Sequence, residues 1–541
     1  MANENPPPKK AASNLYLGFD ISTQQLKLIA IDDNLELHTE VAIEYDNDLK
    51  EFNTSGGLHA GADGVSYTAP AAMWVKAFDL MFARLEERGF PFGRVVSVSG
   101  CGQQHGSVYW KEGAQKVLQS LDSSKSLYDQ LIDRFSIANS PVWKDASTTR
   151  QCRMLEEAMN GPEVVAKITG SRAYERFTGN QIAKICQEHN SDFKQTERIS
   201  LVSSFGPSLL LGDYASIDYS DGSGMNLLDI HTKDWNQTAL DACAPGLRKL
   251  LGVPTPSCSM LGTISNYFVQ RYHFSADCKV CAFTGDNPSA LAGMRLQQGD
   301  IAVSLGTSDT LFLWLDEPKP QLVGHVLINP VDSSAYMALL CYKNGSMTRE
   351  WIRDKYADKS WEKFEKMLAS TQPGNGGNIG FYFTDTEIIP VGVKGCFKFD
   401  KDDKKVEDFS PEEEIRAVVE GQLMAKLSHA QHLGYHVNSN TRILVTGGAS
   451  ENIGILQVLA DVFGAPVYTL GGTKNAACLG GAYIAKCVYT DPSSFAGALQ
   501  TAPQYTLTAQ PVASVHQVYK DMLPRLQKLE SDLLSHINDS E

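Results

Sequence analysis

The hydrophobic pattern of this chain changes period many times, and each change marks an element. LYLGFDI is apolar from Leu15 to Ile21, breaks at Ser22–Gln25, resumes in LKLIAID and then alternates through LELHTEVAIEY. That pattern predicts strand, turn, strand and a third, half-buried strand. MWVKAFDLMFARLEERG carries Trp74, Phe78, Met81, Phe82 and Leu85 at helical spacing, with Gly89 as its stop. RVVSVSG reads as a short buried strand ending at CGQQHG, and TERISLVSSFGPSLLLGDY as a strand followed by a helix. DYSDGSGMN, full of Gly, Asp and Ser, is expected as a loop.

After CKVCAFTGDNPSALAGMR the pattern restarts. IAVSLGTSDTLFLWL is again strand, small polar turn and strand, followed by the apolar run VDSSAYMALLCY. EEEIRAVVEGQLMAKLSHAQHLGY predicts a helix and RILVTGG a buried strand. NIGILQVLADVFG predicts a helix with Ile453, Leu456, Leu459 and Phe463 inward. NAACLGGAYIAKCV is a helix of small residues suited to close packing, and SVHQVYKDMLPRLQKLESDLL a last helix with a charged, solvated face. There is no short-period repeat. A long-range echo exists instead: two halves, each opening on a hairpin whose turn holds Gly, Asp, Ser and Thr. The boundary is expected between about Ala282 and Gly299, dividing the chain into domains 11–292 and 293–530.

The 541 residues suit two large domains, and 43% hydrophobic with 21% charged residues is ordinary for a globular core. A net charge of -15 with dispersed acidic residues argues against a nucleic-acid surface. No run of 18 apolar residues predicts a membrane span. The start, MANENPPPKKAASN, has no apolar segment of a secretory signal and reads as a loose tail. The 11 cysteines are scattered, so reduced thiols in the cytoplasm are expected. Cys278 and Cys281 lie close together, but no second such pair completes a zinc site, and the apolar run around them predicts a buried strand. His429, His432 and His436 could share a helix face, but the sequence offers no nearby cysteine or carboxylate partners, so no metal site is expected there.

Four loops carry candidate chemistry. Turns lined by Gly, Ser and Thr present N–H groups and hydroxyls to phosphate oxygens, as GFDISTQQLK and AVSLGTSDTLF both do. Asp20 cannot bind phosphate, but it can hold Mg2+, directly or through water. Either hairpin alone also reads as a common polar turn. Asp286, in AFTGDNPSALAG, falls at a strand end beside a helix whose early Pro288 has no N–H to leave unpaired. There it suits a general base for a hydroxyl group, or simply a helix cap. Gln103, Gln104 and His105 lie between glycines in SGCGQQHGSVYW and offer hydrogen-bonding groups to a polyol. TGGASEN lets a flat ring or a phosphate approach the backbone at a helix start. It matches neither G-x-G-x-x-G nor a P-loop.

Taken in order, GFDISTQQLK, GQQHG, FTGDNPSALAG, VSLGTSDTLF and VTGGASEN resemble the FGGY family of carbohydrate kinases over nearly the whole chain. The longest similar runs, GQQHGSVYW, SRAYERFTGNQIAK, DYSDGSGMNLL and GDIAVSLGTSDTLFLWL, are closest to the family's animal members that act on D-xylulose. The resemblance implies an α/β fold of two actin-like, ribonuclease-H-like ATPase domains with an inter-domain cleft. It implies ATP and Mg2+ as cofactors and transfer of phosphate to D-xylulose, giving D-xylulose 5-phosphate for the pentose phosphate pathway. By resemblance, Asp20 and Thr23 match the first phosphate and metal loop, with Asp20 the metal residue, and Gly306 and Thr307 match the second phosphate loop. Asp286 matches the catalytic base and, with Asn287, His105, Gln104 and Arg176, the sugar side. Gly447, Gly448, Ala449 and Asn452 match the adenosine loop, and Trp361 in KSWEKF an adenine-side aromatic. Trp361 also reads as a helix-packing residue, and Arg176 as half of a structural ion pair. No nucleic acid or membrane partner is implied, and a monomer or weak dimer is expected.

The chain departs from the family in two places. Trp143 and Asp145 match a W-x-D-x-R run, but Ser147 replaces the arginine; a T-x-P-K-like run reads FTGNQIAK. Other readings remain open on the residues: a kinase for glycerol, ribulose or gluconate, an actin- or Hsp70-like ATPase that binds polypeptides, or a sugar sensor without turnover.

Overall fold

β1 (Leu15–Ile21) and β2 (Gln25–Asp32) pair antiparallel across the first polar turn, with Asp20 opposite Lys27, and β2 pairs onward with β3 (Leu37–Glu44). The sequence pattern foresees all three. Helix α1 (Ala71–Glu87) buries Trp74, Phe78, Met81, Phe82 and Leu85, and Gly89 follows in the left-handed region. β1 is buried along its length: its other edge pairs in parallel with β4 (Val95–Gly102), and helices pack on the sheet's faces. A strand covered on both sides reads as continuously apolar. The computed structural model describes residues 13–469 and 475–538. The tail expected at the N-terminus therefore lies outside the described residues up to residue 12.

About a hundred residues further along the chain come helix α2 (Val202–Leu211) and a shorter helix, α3 (Tyr219–Ser223). α3 corrects the sequence reading, which expected DYSDGSGMN to be a loop. The Asp218 carboxylate caps the turn, accepting from the backbone N–H groups of Ser220 at 3.1 Å and Asp221 at 3.3 Å. Ser220, Asp221, Gly222 and Ser223 are all buried. Their low helix propensity gave a loop signal, but small side chains are what allow a helical turn to sit this deep. β5 (Met260–Thr263), β6 (Lys279–Cys281) and β7 (Thr284–Gly285) complete the first sheet, in the order β5-β6-β4-β1-β2-β3 with β7 also paired to β4. Cys278 and Cys281 are buried here as free thiols.

Helix α4 (Asp286–Gly293) leads into the second half. β8 (Ile301–Leu305) and β9 (Asp309–Leu315) form the second hairpin. With β10 (His325–Ile328), β11 (Tyr336–Tyr342), β12 (Ile443–Thr446), β13 (Val467–Thr469) and β14 (Thr506–Ala509) they make a sheet in the order β10-β11-β9-β8-β12-β13-β14. β8 repeats the position of β1, antiparallel to its hairpin partner and parallel to a later strand. The echo in sequence is thus an echo in topology.

Helices α5 (Ser346–Tyr356), α6 (Trp361–Ser370), α7 (Pro411–His432) and α8 (Ile453–Phe463) flank this sheet. Ser410 and Glu413 form a capping box on α7, with Pro411 at its first position. On α8, Leu456, Leu459 and Phe463 are buried as expected, but Ile453 is 53% exposed. Ile453 opens the helix, and its side chain falls outside the covered face. Under the second hairpin, Asp309 is fully buried in an ion pair with Arg349 at 2.7 Å and Lys426 at 3.0 Å.

Helix α9 (Ala476–Thr490) lies between β13 and β14 of the second half yet packs on the first half's sheet. Its small residues allow this: a Cβ on Gly481 would fall 2.6 Å from Cα of Gly100. Cys478 Sγ donates to the Gly18 carbonyl at 3.1 Å, and Ser289 Oγ of α4 donates to the Ala477 carbonyl at 2.6 Å. α10 (Ala513–Asn538) packs on α7 and α8, where Tyr519 donates its hydroxyl to Glu420 at 2.7 Å. Among the described residues, no helix is long and apolar enough to cross a membrane.

Candidate active site

The strand end of β1 delivers Asp20 to the first turn, 6% exposed, with Cys101 Sγ 3.5 Å from its Oδ1. Burial pushes its carboxyl up, against the opposing influence of the Ser22 hydroxyl and the Lys27 charge. Among the described residues no ion pair reaches Asp20, whereas Asp309 in the second hairpin is neutralised by two cations. Thr23, at the tip of the same turn, accepts a hydrogen bond from Trp143 Nε1 at 2.8 Å.

Asp286 opens α4 directly after β7, half-buried, with its Oδ1 accepting from the Asn287 backbone N–H at 2.8 Å. Its carboxyl is pushed up to about 7, first by burial and then by the negative charge of Asp20. The two carboxylates are therefore close enough to repel. Asn287 Nδ2 donates to Gln104 Oε1 at 2.9 Å and lies 3.2 Å from Asp286 Oδ1. Gln104 and Asn287, expected on the sugar side, are thus brought together with Asp286.

His105 follows Gln104 with a left-handed backbone, φ 69°. A histidine held there is strained, and the flanking contacts must hold it. Its Nδ1 is 3.0 Å from the Gly224 carbonyl, and burial depresses its pKa to about 3, so the ring is neutral. The ring packs on Phe177 at 4.5 Å between centroids, and Phe177 also meets His325 of β10 at 5.0 Å. Burial holds His325 down at about 4. Arg176 lies over the rings of Trp143 at 5.5 Å and Tyr174 at 5.8 Å, and its charge reaches both histidines. Among the described residues Arg176 makes no ion pair, which removes the structural ion-pair alternative. Ser147, in place of the arginine of W-x-D-x-R, accepts from Lys184 Nζ at 2.7 Å, so a cation still reaches that place. Asp145 is buried and accepts from Gln181 Nε2 at 2.9 Å.

In the second half, Gly306 and Thr307 turn from β8 into β9, and the Ser346 N–H at the start of α5 donates to the Gly306 carbonyl at 2.8 Å. The positive end of an eleven-residue helix therefore abuts this turn. Gly447 (φ 89°) is wedged so that a Cβ would fall 2.5 Å from the Leu305 carbonyl, which presses the TGGASEN loop against the turn. Gly306, Thr307, Ser346, Trp361, Gly448, Ala449 and Asn452 line one cavity of about 700 Å³. Asn452 also caps α8, its Oδ1 accepting from the Ile455 N–H at 2.9 Å. Trp361 has Arg353 over its ring at 4.7 Å and Phe364 edge-on at 5.2 Å. It packs and lines the cavity at once. A larger concavity, about 810 Å³, lies elsewhere and includes none of the candidate residues.

Sequence reasoning missed Asp221, His325 and the Trp143–Thr23 bond. Asp221 sat in a stretch read as loop, His325 comes from the other half of the chain, and only folding brings Trp143 to Thr23.

Residues 132–293 match the N-terminal domain, and residues 301–488 the C-terminal domain, of the FGGY family of carbohydrate kinases. The chain is 54% identical over 529 residues to xylulose kinase of Rattus norvegicus, covering 97% of this chain and 98% of that one. To xylulose kinase 2 of Arabidopsis thaliana it is 46% identical over 483 residues, covering 87% and 86%. In fold it resembles the crystal structure of xylulose kinase from Rhodospirillum rubrum, with a TM-score of 0.79 at 13% identity over 97% of this chain and all of that one. The ligand-bound xylulose kinase of Lactobacillus acidophilus gives 0.76 at 17% identity over 98% of this chain and all of that one.

Proposed function

The chain belongs to the FGGY family of carbohydrate kinases, and from that premise we propose that it transfers the γ-phosphoryl group of ATP to D-xylulose, giving D-xylulose 5-phosphate for the pentose phosphate pathway. The observation that carries the chemistry is Asp286: a half-buried carboxylate, unpaired among the described residues, at a strand end with Gln104, Asn287 and Asp20 around it. The choice of sugar is supported by the xylulose kinases of rat and Arabidopsis at 54% and 46% identity.

In this reading Asp286 accepts the proton of the terminal sugar hydroxyl as that oxygen attacks phosphorus. His105, Arg176 and Asn287 hold the sugar, with Gln104 adjacent. Thr23 and the turn at Gly306 and Thr307 approach the phosphates from the two halves. Gly447, Gly448, Ala449, Asn452 and Trp361 hold the adenosine, and a cavity of about 700 Å³ is within the usual size of a small-molecule site. Asp20 fits Mg2+, because a buried carboxylate without an ion pair among the described residues, under the negative charge of a second carboxylate, is a site where a hard divalent ion relieves repulsion. Asp20 would hold the ion directly or through water; when bound, it supplies charge neutralisation to the phosphoryl oxygens.

We divide the chain into domains 11–292 and 293–530, joined by α4 and α9. A cytoplasmic enzyme is proposed on the strength of eleven free thiols, and a monomer or weak dimer is proposed with it. A panel of D-xylulose, ribulose, glycerol and gluconate in a coupled ADP-release assay tests the reading. Preferential turnover of D-xylulose supports it; preference for another acceptor, or none, overturns it.

A further inference from the structure

Resting on the sugar-kinase reading, we propose that Asp221 is a positioning residue: it fixes which way the Gln104 amide points, and so sets the hydrogen-bonding polarity of the sugar side. Asp221 is 1% exposed and lies on the sugar side of the molecule rather than in the nucleotide cavity. Its Oδ1 accepts from Gln104 Nε2 at 3.4 Å, and its Oδ2 is 2.6 Å from Ser203 Oγ. The other end of the Gln104 amide, Oε1, accepts from Asn287 Nδ2 at 2.9 Å, and Asn287 in turn donates to Asp286. An amide is nearly symmetric in shape, so its orientation is decided by its partners. With Asp221 offering an acceptor, the NH2 end must face inward and the oxygen must face Asn287. That orientation directs Asn287 Nδ2 between Gln104 and the base.

The arrangement is built from one helical turn. Asp218, which caps it, accepts from Thr284 Oγ1 at 2.7 Å and from Ser257 Oγ. Gly285 makes room: a Cβ there would lie 2.7 Å from Asp221 Oδ1 and 2.6 Å from Gln104 Cγ. Just past the turn, the Gly224 carbonyl faces His105 Nδ1. A carbonyl only accepts, so Nδ1 carries the proton and Nε2 presents a lone pair. α3 and the residue after it therefore set two adjacent side chains, Gln104 as well as His105. Burial and the charges of Asp218 and Asp286 push the Asp221 carboxyl up. One oxygen still accepts from Gln104 in either protonation state, because the Ser203 hydroxyl can donate or accept at the other.

A polarity swap tests this. Asp221→Leu removes the acceptor, and Gln104→Glu places two acceptors face to face. Each single variant is expected to lower kcat/KM for D-xylulose by about 10- to 100-fold, with KM for ATP within about twofold. The double variant Asp221→Asn/Gln104→Glu restores complementarity, since the amide introduced at position 221 donates to one oxygen of the new carboxylate while Asn287 donates to the other. Recovery to within about fivefold of wild type is expected, a coupling a merely structural residue does not give. A double variant no more active than Gln104→Glu alone, or an unaffected Asp221→Leu, overturns the proposal. If Asp221→Leu fails to fold, recovery of Gln104→Glu by added Asp221→Asn decides the proposal: no recovery overturns it. If wild type phosphorylates no sugar, the kinase reading fails separately, and calorimetric binding of D-xylulose to the same variants judges the positioning role.

Discussion

Trp143 donates its indole N–H to the Thr23 hydroxyl at 2.8 Å while Arg176 lies over its ring at 5.5 Å. One side chain thus joins Thr23, proposed to approach the phosphates, to Arg176, proposed to hold the sugar.

Trp143→Phe keeps an aromatic surface for Arg176 and deletes only the N–H. Losing one hydrogen bond predicts a fall of about 3- to 10-fold in kcat/KM for ATP. Trp143 is 37% exposed, so stability is expected to change by no more than about 0.5 kcal/mol. Steady-state kinetics with each substrate varied checks this; an unchanged value for ATP would remove Thr23 from the phosphate site.

Asp286→Asn leaves the helix start intact but cannot accept a proton. A loss in kcat of at least about a hundredfold is expected, with nucleotide affinity little altered. Near-normal turnover, measured by ADP release, would take Asp286 out of the base role.

The same carboxyl sets a pH dependence. Its pKa is raised to about 7 by burial and by Asp20. The base works only when deprotonated, so kcat/KM for the sugar rises with pH through the neutral range and is lost as pH falls. A cation at Asp20 cancels the second cause, so the acid limb should move to lower pH as Mg2+ is raised from limiting to saturating. A limb that ignores Mg2+ in pH profiles at two concentrations would separate Asp20 from the metal.

Asp309→Ala leaves Arg349 and Lys426 buried without their counter-ion. Removing one partner of a buried pair costs about 3–5 kcal/mol. Urea unfolding should show a loss of that order, and Asp309→Asn a smaller one, since it keeps an acceptor for Arg349. A loss below about 1 kcal/mol for the alanine variant contradicts the buried pair.

Gly481→Val drives a branched side chain into Gly100 across the contact between α9 and the first sheet. Overpacking of this kind costs about 1–3 kcal/mol or more. Lowered thermal stability and greater protease sensitivity between the halves are the expected readings. A variant as stable as wild type would show that α9 can shift away.

The local elements were legible in the sequence because period and punctuation are local properties. The two hairpins, α1, α7, the buried strand at Cys278 and Cys281, and Asp286 at a strand end beside Pro288 all followed from spacing alone. Two readings went astray for a shared reason, namely that burial depends on neighbours far along the chain. Ile453 has helical spacing but lies outside the covered face of α8, and DYSDGSGMN has loop composition but is one deep helical turn.

By itself, then, the sequence determined the elements, the repeated hairpin topology and the order of loops that marks the family. Tertiary structure decided what those loops do to each other. Among the described residues it left Asp20 without an ion pair while giving Asp309 two, pressed Gly447 against the second turn, brought His325 from the far half to Phe177, and placed Asp221 behind Gln104. None of these has a local signature, because each is a contact between segments tens to hundreds of residues apart. A pattern of apolar positions specifies which face is buried, but not which polar groups that burial brings together.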